Sequence, residues 1–361
     1  MELEDRLAAL RARIDTLDDE LLALLNRRAA LTVEVGELKR VAGDATEFYR
    51  PEREASILRR LSGANPGPLP DAALVHVMRE LISACLALEQ ALKVAYLGPA
   101  GTYTHAAVLK HFGAAVEPVA AASVDDVFRA VEARSSDYGV VPIENSVGGS
   151  VSQTLDCLSA SALAICGEIV LPVHHQFLSL ADSMTAVRRV YAHEQALAQC
   201  RGWLDRHCPG AERMAAGSNA QAAQRAQQEP DAAAIASVEA GERYGLATLA
   251  ADIEDYPNNT PRVVVLGHRI PKASGDDLTT VMFGLPNRPG ALHGLLGVLA
   301  ERGLSMSRIE SRPSRNALWE YRFFVDIVGH AEDPEVAAAL TAMESRAAVF
   351  KLLGSYPRAV L

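Results

Sequence analysis

The sequence predicts a multidomain chain with an all-α block, an α/β block and an α+β block, at residues 1–92, 93–270 and 278–361. In the first block, apolar residues recur with helical spacing, and no proline interrupts residues 1–50. In the second block, short apolar runs alternate with helical segments, and in the third the order of elements is βαββαβ. A length of 361 residues is enough for two or three domains.

Composition and charge exclude several classes of protein. The net charge is −10, whereas a general nucleic-acid-binding protein would carry a basic surface. We expect no membrane partner, because there is no apolar run of transmembrane length and the charged N-terminus does not look like a secretory signal. Five cysteines without a CxxC motif are typical of reduced thiols in the cytoplasm. The ten histidines include no HExxH motif, so no metal site is predicted.

The first block begins with an apolar seam that predicts one long helix. Leucine, isoleucine and valine recur at spacings of three and four residues between Leu3 and Leu38. A heptad seam of this length indicates a helix that packs along another helix. Such a helix is roughly 57 Å long, which a single small domain cannot bury, so we expect a dimer to cover it.

Basic residues interrupt this seam. Arg28 takes a core-facing position between Leu24 and Leu31, where an unpaired charge is costly, so it either pairs with a carboxylate or binds an anion. Lys39 returns to within ~20° of the same direction at a distance of about 16 Å, so the two side chains could bracket a small dianion. Arg11 lies ~25 Å from Arg28 and ~100° around the helix, so it could reach that ligand only from a partner chain.

The second block alternates strands with helices. Strand-like runs lie at residues 94–97, 138–141, 187–192, 232–236 and 262–266. This alternation predicts a mostly parallel α/β sheet, with enough chain for two lobes and a cleft between them. Thr102 or Thr104 is expected to cap the helix after the first strand. Glu144 follows another strand, at the end where open α/β sheets bind ligands, although it could instead make a salt bridge in a capped turn.

The third block follows a linker at residues 271–277 and has the ferredoxin-like order of elements. Strands are predicted at residues 279–285, 305–311, 319–328 and 349–356, and helices at 291–302 and 334–344. A module of this kind either binds a ligand or serves only in dimerisation.

The first block resembles the all-helical chorismate mutase family. The resemblance rests on residues 10–39, on YRPERE at 49–54 and on LISACLALEQAL at 81–92. It implies a set of catalytic residues: Arg11 from the partner chain, Arg28, Lys39, Arg53, Glu54 and Glu89. The first two would bind the carboxylates of chorismate, Lys39 would donate to the ether oxygen, and Glu89 would lie opposite that oxygen. The reaction is a unimolecular rearrangement that needs oriented charges but no nucleophile.

The second block resembles the prephenate dehydratase family over its whole length. GPAGTYTHAA at 98–107, VPIENSVGGSV at 141–151 and GSNAQAA at 217–223 carry the resemblance. It implies a two-lobed fold similar to periplasmic binding proteins, with prephenate between the lobes and no cofactor. The residues that it assigns to prephenate are Thr102, Glu144, Asn145, Ser146, Ser218, Asn219 and Arg262.

One departure from that family lies near the end of the block. The motif Asn-x-Thr-Arg-Phe, whose threonine is taken as the catalytic hydroxyl, here reads Asn-Thr-Pro-Arg-Val at 259–263. Pro261 therefore stands at the threonine position and has no side-chain proton to donate. Thr260 is one residue early, and in a strand it would point to the other face. A local shift could re-aim Thr260 as the catalytic hydroxyl, another acid could serve, or the dehydratase could be impaired.

The third block resembles the regulatory ACT domain. GAL at 290–292 and ESRP at 310–313 are similar to the phenylalanine-binding motifs of that family. The resemblance assigns phenylalanine to Gly290, Ala291, Leu292, Glu310, Ser311, Arg312 and Pro313. Phenylalanine bound between paired domains would favour a less active state of the dehydratase.

Together these resemblances imply an enzyme, both isomerase and lyase, that converts chorismate to prephenate and prephenate to phenylpyruvate under feedback inhibition by phenylalanine, and we expect it in the cytoplasm. We expect a homodimer or a higher homo-oligomer, with no metal or cofactor. Two alternatives are an active mutase with an impaired dehydratase half and a non-enzymatic amino-acid sensor. The basic residues of the first block argue against the sensor, which has no need of them.

Overall fold

The computed structural model describes residues 3–41, 49–145, 149–256, 260–286, 288–313 and 321–360. Helices come first, two α/β sheets follow, and an antiparallel sheet with two helices ends the chain. Among the helices of these ranges, none combines the length and the apolar character that a membrane span requires.

The first block consists of α1 (Leu3–Val41), α2 (Pro51–Gly63) and α3 (Asp71–Glu89). Both α1 and α2 pack on α3, and Leu58 and Ile82 belong to the small core between α2 and α3. The predicted seam of α1 is nevertheless largely exposed in the single chain, with Leu17 62% exposed. Within α1, which is described in full, the buried residue is Gly36. Glycine inside a helix costs about 1 kcal/mol relative to alanine, so its presence there calls for a reason.

The second block divides into two lobes. Its strands are β1 (Lys93–Leu97), β2 (Glu117–Ala121), β3 (Tyr138–Asn145), β4 (Gly149–Ser150), β5 (Ala164–Val170), β6 (Gln176–Ser179), β7 (Arg189–Ala192), β8 (Glu212–Ala215), β9 (Ala232–Ala236), β10 (Ala247–Ala250) and β11 (Arg262–Gly267). Its helices are α4 (Tyr103–Phe112), α5 (Val124–Glu132), α6 (Ser152–Ala160), α7 (Glu194–Gln199), α8 (Arg201–His207), α9 (Asn219–Ala226) and α10 (Val238–Tyr244).

Each lobe contains one mixed sheet. The strand order is β5-β11-β3-β1-β2 in the first lobe and β10-β6-β9-β7-β8 in the second. Strands β1, β2 and β3 are mutually parallel, as are β7, β8 and β9, but β11 and β6 run antiparallel to their neighbours. The expected mostly parallel sheet is confirmed, because four of the five strands in each order run in the same direction; within these orders the exceptions are β11 and β6. The chain crosses to the second lobe before β6 and returns before β11, so both strands enter a lobe from the cleft side.

The third block has the predicted ferredoxin-like order. Its elements are β12 (Asp277–Gly284), α11 (Ala291–Glu301), β13 (Met306–Pro313), β14 (Tyr321–Val328), α12 (Pro334–Arg346) and β15 (Val349–Pro357). The antiparallel order β13-β14-β12-β15 continues into the first lobe, because β15 pairs with β5 at Gly354 and Ile165. A Cβ atom on Gly354 would lie 2.2 Å from the Ile165 carbonyl oxygen, so this junction requires glycine.

Candidate active sites

A cavity of about 570 Å³ lies between α1, α2 and α3, and we call it the helical pocket. Its polar lining includes Arg28, Thr32, Lys39, Tyr49, Arg50, Arg53, Glu54 and Glu89. The fold thus brings together all the residues predicted for this site except Arg11, which is exposed nearer the N-terminus of α1. One face of a single helix supplies Arg28 and Lys39, as the helical spacing requires.

Arg28 Nη1 and Glu89 Oε2, on two residues that line the helical pocket, are buried and have no hydrogen-bond partner among the described residues. Buried polar atoms in native proteins almost always have partners. A donor and an acceptor left open on the walls of one cavity therefore indicate a polar ligand. Glu89 ends α3, and the guanidinium of Arg40 donates to its main-chain oxygen at 3.2 Å, which ties this end of α3 to α1.

The wall formed by α2 contains a buried ion pair. Arg79 Nε lies 3.5 Å from Glu54 Oε1, and each residue is only 9% exposed. Burial raises the pKa of the Glu54 carboxyl to about 7, and the nearby Arg79 guanidinium opposes part of this increase. Glu54 therefore changes its charge near neutral pH.

This pKa predicts a pH-dependent loss of stability. Below about pH 4.5 both the folded and the unfolded chain hold the Glu54 proton; between pH 4.5 and 7 only the folded chain holds it. The free energy of unfolding therefore falls over this range as pH rises, by about 3 kcal/mol, and stays reduced above it. We expect Glu54→Gln to match the wild type near pH 5 and to exceed its melting temperature at pH 8. Glu52→Gln, on the same helical turn, should show no such divergence; equal melting differences at both pH values for Glu54→Gln would contradict the assignment.

A second cavity, of about 220 Å³, lies between the two lobes, and we call it the interlobe cleft. Thr102, Ser218 and Asn219 line it as predicted. Thr102 is the N-cap of α4 and accepts a hydrogen bond from the His105 amide, and Ser218 caps α9 in the same way through the Gln221 amide. The N-termini of two helices thus face one cleft, which favours an anionic ligand.

A buried hydrogen-bond network forms another wall of the interlobe cleft. The Tyr103 hydroxyl lies 2.9 Å from His175 Nδ1, and His175 Nε2 lies 2.8 Å from Gln199 Oε1. Burial raises the pKa of Tyr103 and lowers the pKa of His175, so both side chains are neutral near pH 7. The imidazole then donates from Nε2 to Gln199 and accepts from Tyr103 at Nδ1. Sequence analysis did not single out these residues, although Tyr103 lies within the GPAGTYTHAA motif.

Pro261 is buried and lines the interlobe cleft together with Val263. Within the described residues, Thr260 is not part of this lining. Side chains alternate along an extended chain, so Pro261, directly before β11, lies on the same side as Val263 within β11. The cleft therefore holds a proline at the position where the family motif has its threonine.

Glu144 does not line the cleft in the described residues; its carboxylate engages the third block. Arg308 on β13 lies 2.8 Å from it, Nε to Oε2, and also donates to Ser150 Oγ at 2.8 Å. Glu144 thus makes the salt bridge that the sequence left open, and its contact with prephenate stays a prediction.

Arg262 is also turned away from the cleft. Its guanidinium pairs with Asp326 and Glu168 and donates to the Tyr356 hydroxyl at 2.9 Å. Arg262 is adjacent to Val263 in β11, so its side chain emerges on the opposite face, where the third block packs. In this structure Arg262 makes a contact between domains, and its contact with prephenate stays a prediction.

The two motifs assigned to phenylalanine lie at the start of α11 and the end of β13. Gly290 caps α11 with φ +75°, a left-handed conformation that favours glycine, and Ala291 and Leu292 form the first turn. Ser311 and Pro313 are exposed, whereas Glu310 and Arg312 are half-buried. The guanidinium of Arg312 lies 3.7 Å from the Asp156 carboxylate of α6, so β13 contacts the first lobe at a second point.

The structure does not describe the side chains of two residues predicted for the prephenate site. Ser146 lies outside the described residues, and Asn145 ends β3 with a side chain that is not described. Val147, Gly148 and Asn259 of the quoted motifs also lie outside the described residues.

One group of potential metal ligands is present in the described part of the chain. Ligand atoms of His174, Asp252 and Glu254 lie within 4.8 Å of one another on the second lobe. His174 Nδ1 is 3.0 Å from Glu254 Oε1 and 3.6 Å from Asp252 Oδ1. His174 paired with the exposed Asp252 and with the buried carboxylate of Glu254, which also accepts from the His175 amide, accounts for this geometry, so we assign it no metal.

Comparison with known proteins identifies all three blocks. The chorismate mutase type II family matches residues 10–90, the prephenate dehydratase family residues 94–271, and the ACT domain family residues 279–344. A bifunctional chorismate mutase/prephenate dehydratase of Neisseria gonorrhoeae is 48% identical, with 99% of each chain covered. The chain belongs to the bifunctional chorismate mutase/prephenate dehydratase family.

As a member of this family, the protein is an isomerase and a lyase in one chain. The helical pocket lies in its chorismate mutase part and the interlobe cleft in its prephenate dehydratase part. The alternative of a non-enzymatic sensor is therefore not supported.

Solved structures resemble the dehydratase and ACT parts of this bifunctional enzyme. A prephenate dehydratase from Arthrobacter aurescens in complex with L-Phe has a TM-score of 0.68 at 35% identity, covering 75% of this chain and 93% of that chain. GqqA, described as a novel type of quorum-quenching acylase, has a TM-score of 0.68 at 28% identity, covering 74% of this chain and 98% of that chain. Because one fold accompanies two described activities, the roles of the residues must be argued from the sites.

Proposed function

We propose that chorismate binds in the helical pocket, with one carboxylate on Arg28 and the other on the partner's Arg11. Lys39 stabilises the charge that develops on the ether oxygen, and Glu89 faces that oxygen. Arg53 and Glu54 close the pocket. The single observation that carries this proposal is the pair of open polar atoms, Arg28 Nη1 and Glu89 Oε2, on the walls of one cavity.

We propose a homodimer formed along α1. Two observations support it: the apolar seam of α1 is exposed in the single chain, with Ile14 at 55% and Leu21 at 55% exposure, and Arg11 cannot reach Arg28 on the same helix. A second copy of α1 would cover the seam and bring the partner's Arg11 to the pocket. Whether two such dimers associate further is a separate question of assembly.

The dimer predicts a linked loss of assembly and mutase activity. Leu17→Asp places a charge in the middle of the seam, so we expect a monomer, mutase turnover reduced at least about 100-fold, and an unchanged dehydratase. Sedimentation equilibrium measures the assembly, and Asp19→Asn, on the exposed polar face of α1, is the control. A Leu17→Asp protein that stays dimeric and fully active would refute the interface.

Prephenate is proposed to bind in the interlobe cleft. Its carboxylates face the helix N-termini at Thr102 and at Ser218 and Asn219, which the charge of the ligand favours. The ring carboxylate leaves as carbon dioxide, its bonding pair enters the ring, and the ring hydroxyl leaves with one proton as water. That proton requires a donor in the cleft, which Pro261 cannot be.

Phenylalanine is proposed to inhibit the dehydratase through the ACT part. The structure from Arthrobacter aurescens, which covers 75% of this chain, is described as a complex with L-Phe. Strand β13 carries the ESRP motif and also Arg308, which bonds to Glu144 and Ser150 beside the cleft. A shift of β13 on binding phenylalanine would therefore be transmitted to the end of β3.

Turnover of supplied prephenate tests the proposed function. We expect phenylpyruvate to form at neutral pH and phenylalanine to suppress its formation. A sample without enzyme is required, because prephenate also breaks down in acid. Consumption of chorismate without turnover of prephenate would favour the second candidate, an active mutase with an impaired dehydratase, for which Pro261 in the cleft is the specific observation.

Removal of the Arg308 contact should uncouple inhibition. We expect Arg308→Ala to keep at least half of the dehydratase rate without phenylalanine and to weaken inhibition at least about 10-fold, because a coupling free energy of 1–3 kcal/mol is typical. Arg302→Ala is the control. Within the described residues, the guanidinium of Arg302 contacts the Val298 main-chain oxygen and the Glu301 carboxylate, both of α11. Unchanged inhibition in Arg308→Ala would eliminate this route.

The cellular location is proposed to be the cytoplasm. All five cysteines are free thiols in the structure. Burial raises the pKa of Cys166 and of Cys200, which keeps both protonated and unreactive. Such cysteines are typical of a reducing compartment.

A further inference from the structure

Gly36 lies where α1 passes closest to the end of α3. A Cβ atom added at this position would lie 2.9 Å from Glu89 Cγ and 2.9 Å from Glu89 Oε2. Both distances are shorter than carbon and oxygen atoms tolerate. The absence of a side chain at Gly36 is therefore what allows the Glu89 carboxylate to lie against the backbone of α1.

Not every glycine inside a helix has such a close contact, although Gly202 of α8 is another that does, with 2.8 Å between its added Cβ atom and Asp255 Oδ1. Gly294 and Gly297 also lie inside a helix, α11, and a Cβ atom at either position would meet nothing within 4 Å. At Gly36 the low helix propensity of glycine is instead tolerated at a point where α1 contacts Glu89, a residue that lines the helical pocket. The hydrogen bond from Arg40 to the Glu89 main-chain oxygen holds the backbone of α3 close to α1, so a methyl group at Gly36 would be accommodated by rotation of the Glu89 side chain away from its present position.

We propose that Gly36 is a positioning residue of the mutase: it provides the space that directs the Glu89 carboxylate into the helical pocket. Gly36 itself touches no substrate and acts through Glu89. The inference rests on the proposed role of Glu89 in the rearrangement, and it adds a residue on α1 to the groups that set the geometry of the site.

The first test is Gly36→Ala in the full chain. The added methyl group pushes the Glu89 side chain away, so we expect the mutase kcat to fall at least ~10-fold while KM changes less than ~3-fold, as for an interaction made in the transition state. The melting temperature should stay the same or rise, because alanine favours the helix. Dehydratase turnover in the same sample should be unchanged. A wild-type mutase kcat in Gly36→Ala would overturn the inference.

A double-mutant cycle separates positioning from a general distortion of α1. Glu89→Ala removes the side chain that the methyl group would meet, and we expect it to lower kcat about 100-fold by itself. If Gly36 acts through Glu89, adding Gly36→Ala to Glu89→Ala changes kcat less than ~2-fold. A further loss equal to that in the wild-type background would show that the substitution damages the helix or the dimer, which overturns the inference.

Comparison of the two single variants keeps the positioning role of Gly36 distinct from the proposed role of Glu89. A wild-type kcat in Glu89→Ala would refute the proposed role of Glu89, whereas an impaired Glu89→Ala beside a fully active Gly36→Ala would refute only the positioning role. Gly297→Ala is the matched control, a glycine-to-alanine change inside a helix with open space around it. It should leave the mutase kcat unchanged.

Discussion

Replacing Arg28 with alanine should abolish mutase turnover and leave the dehydratase intact. The Arg28 guanidinium lines the helical pocket, and its Nη1 is buried without a partner among the described residues. A charge held ready in this way binds a carboxylate strongly, and loss of such a buried contact costs 2–5 kcal/mol or more, or about 10³-fold in kcat/KM. Chorismate consumption measures the mutase, and phenylpyruvate formation from supplied prephenate measures the dehydratase.

The adjacent arginine provides the matched control. Arg27 has the same chemistry but lies exposed on another face of α1, so Arg27→Ala should retain mutase activity. Equal losses in Arg27→Ala and Arg28→Ala would mean that α1 binds its substrate by diffuse positive charge and not through the helical pocket.

Replacing Pro261 with threonine should raise the dehydratase kcat. Pro261 is buried on the wall of the interlobe cleft and offers neither a hydroxyl nor a backbone N–H. The departing hydroxide needs a proton, and a positioned donor contributes typically 10²–10⁴-fold. We expect kcat to increase ~10-fold or more, which is below the typical contribution of a donor because the other residues of the cleft pack around a proline. KM should be nearly unchanged. The measurement is phenylpyruvate formation at saturating prephenate.

Pro261→Val separates the hydroxyl from the change of shape. Valine is close to threonine in size and restores the same backbone N–H but has no side-chain proton, so it should not exceed the wild type. An equal gain in both variants would assign the effect to the backbone. If Thr260 already serves as the donor through a local shift, Thr260→Val would lower the wild-type rate and Pro261→Thr would add little.

The mutase site was largely predictable from the sequence. Its residues come from one long helix and two short ones, and the helical period decides which side chains share a face. Arg28 and Lys39 therefore share one face of α1, and Arg11 lies on a different face. What spacing does not reveal is the contact between Gly36 and Glu89, because it depends on how closely α1 and α3 approach.

The dehydratase site was less predictable. The motifs located Thr102, Ser218 and Asn219, which are caps at the starts of helices and therefore have a local cause. The ion pairs of Glu144 with Arg308 and of Arg262 with Asp326 could not be predicted, since each partner lies more than sixty residues further along the chain. No local pattern could show that the third block would pack against that face of the sheet.

By itself, the sequence determined the order of the three blocks, the helical and strand periods, the family, and the loss of a hydroxyl at Pro261. These properties depend on residue type and on spacing along one element. The tertiary structure decided the two strands that run against the expected direction, the network of Tyr103 and His175, and the recruitment of Glu144 and Arg262 to the domain interface. These depend on which surfaces meet, and a charge in a strand pairs with whatever group the packing brings within about 3 Å of it.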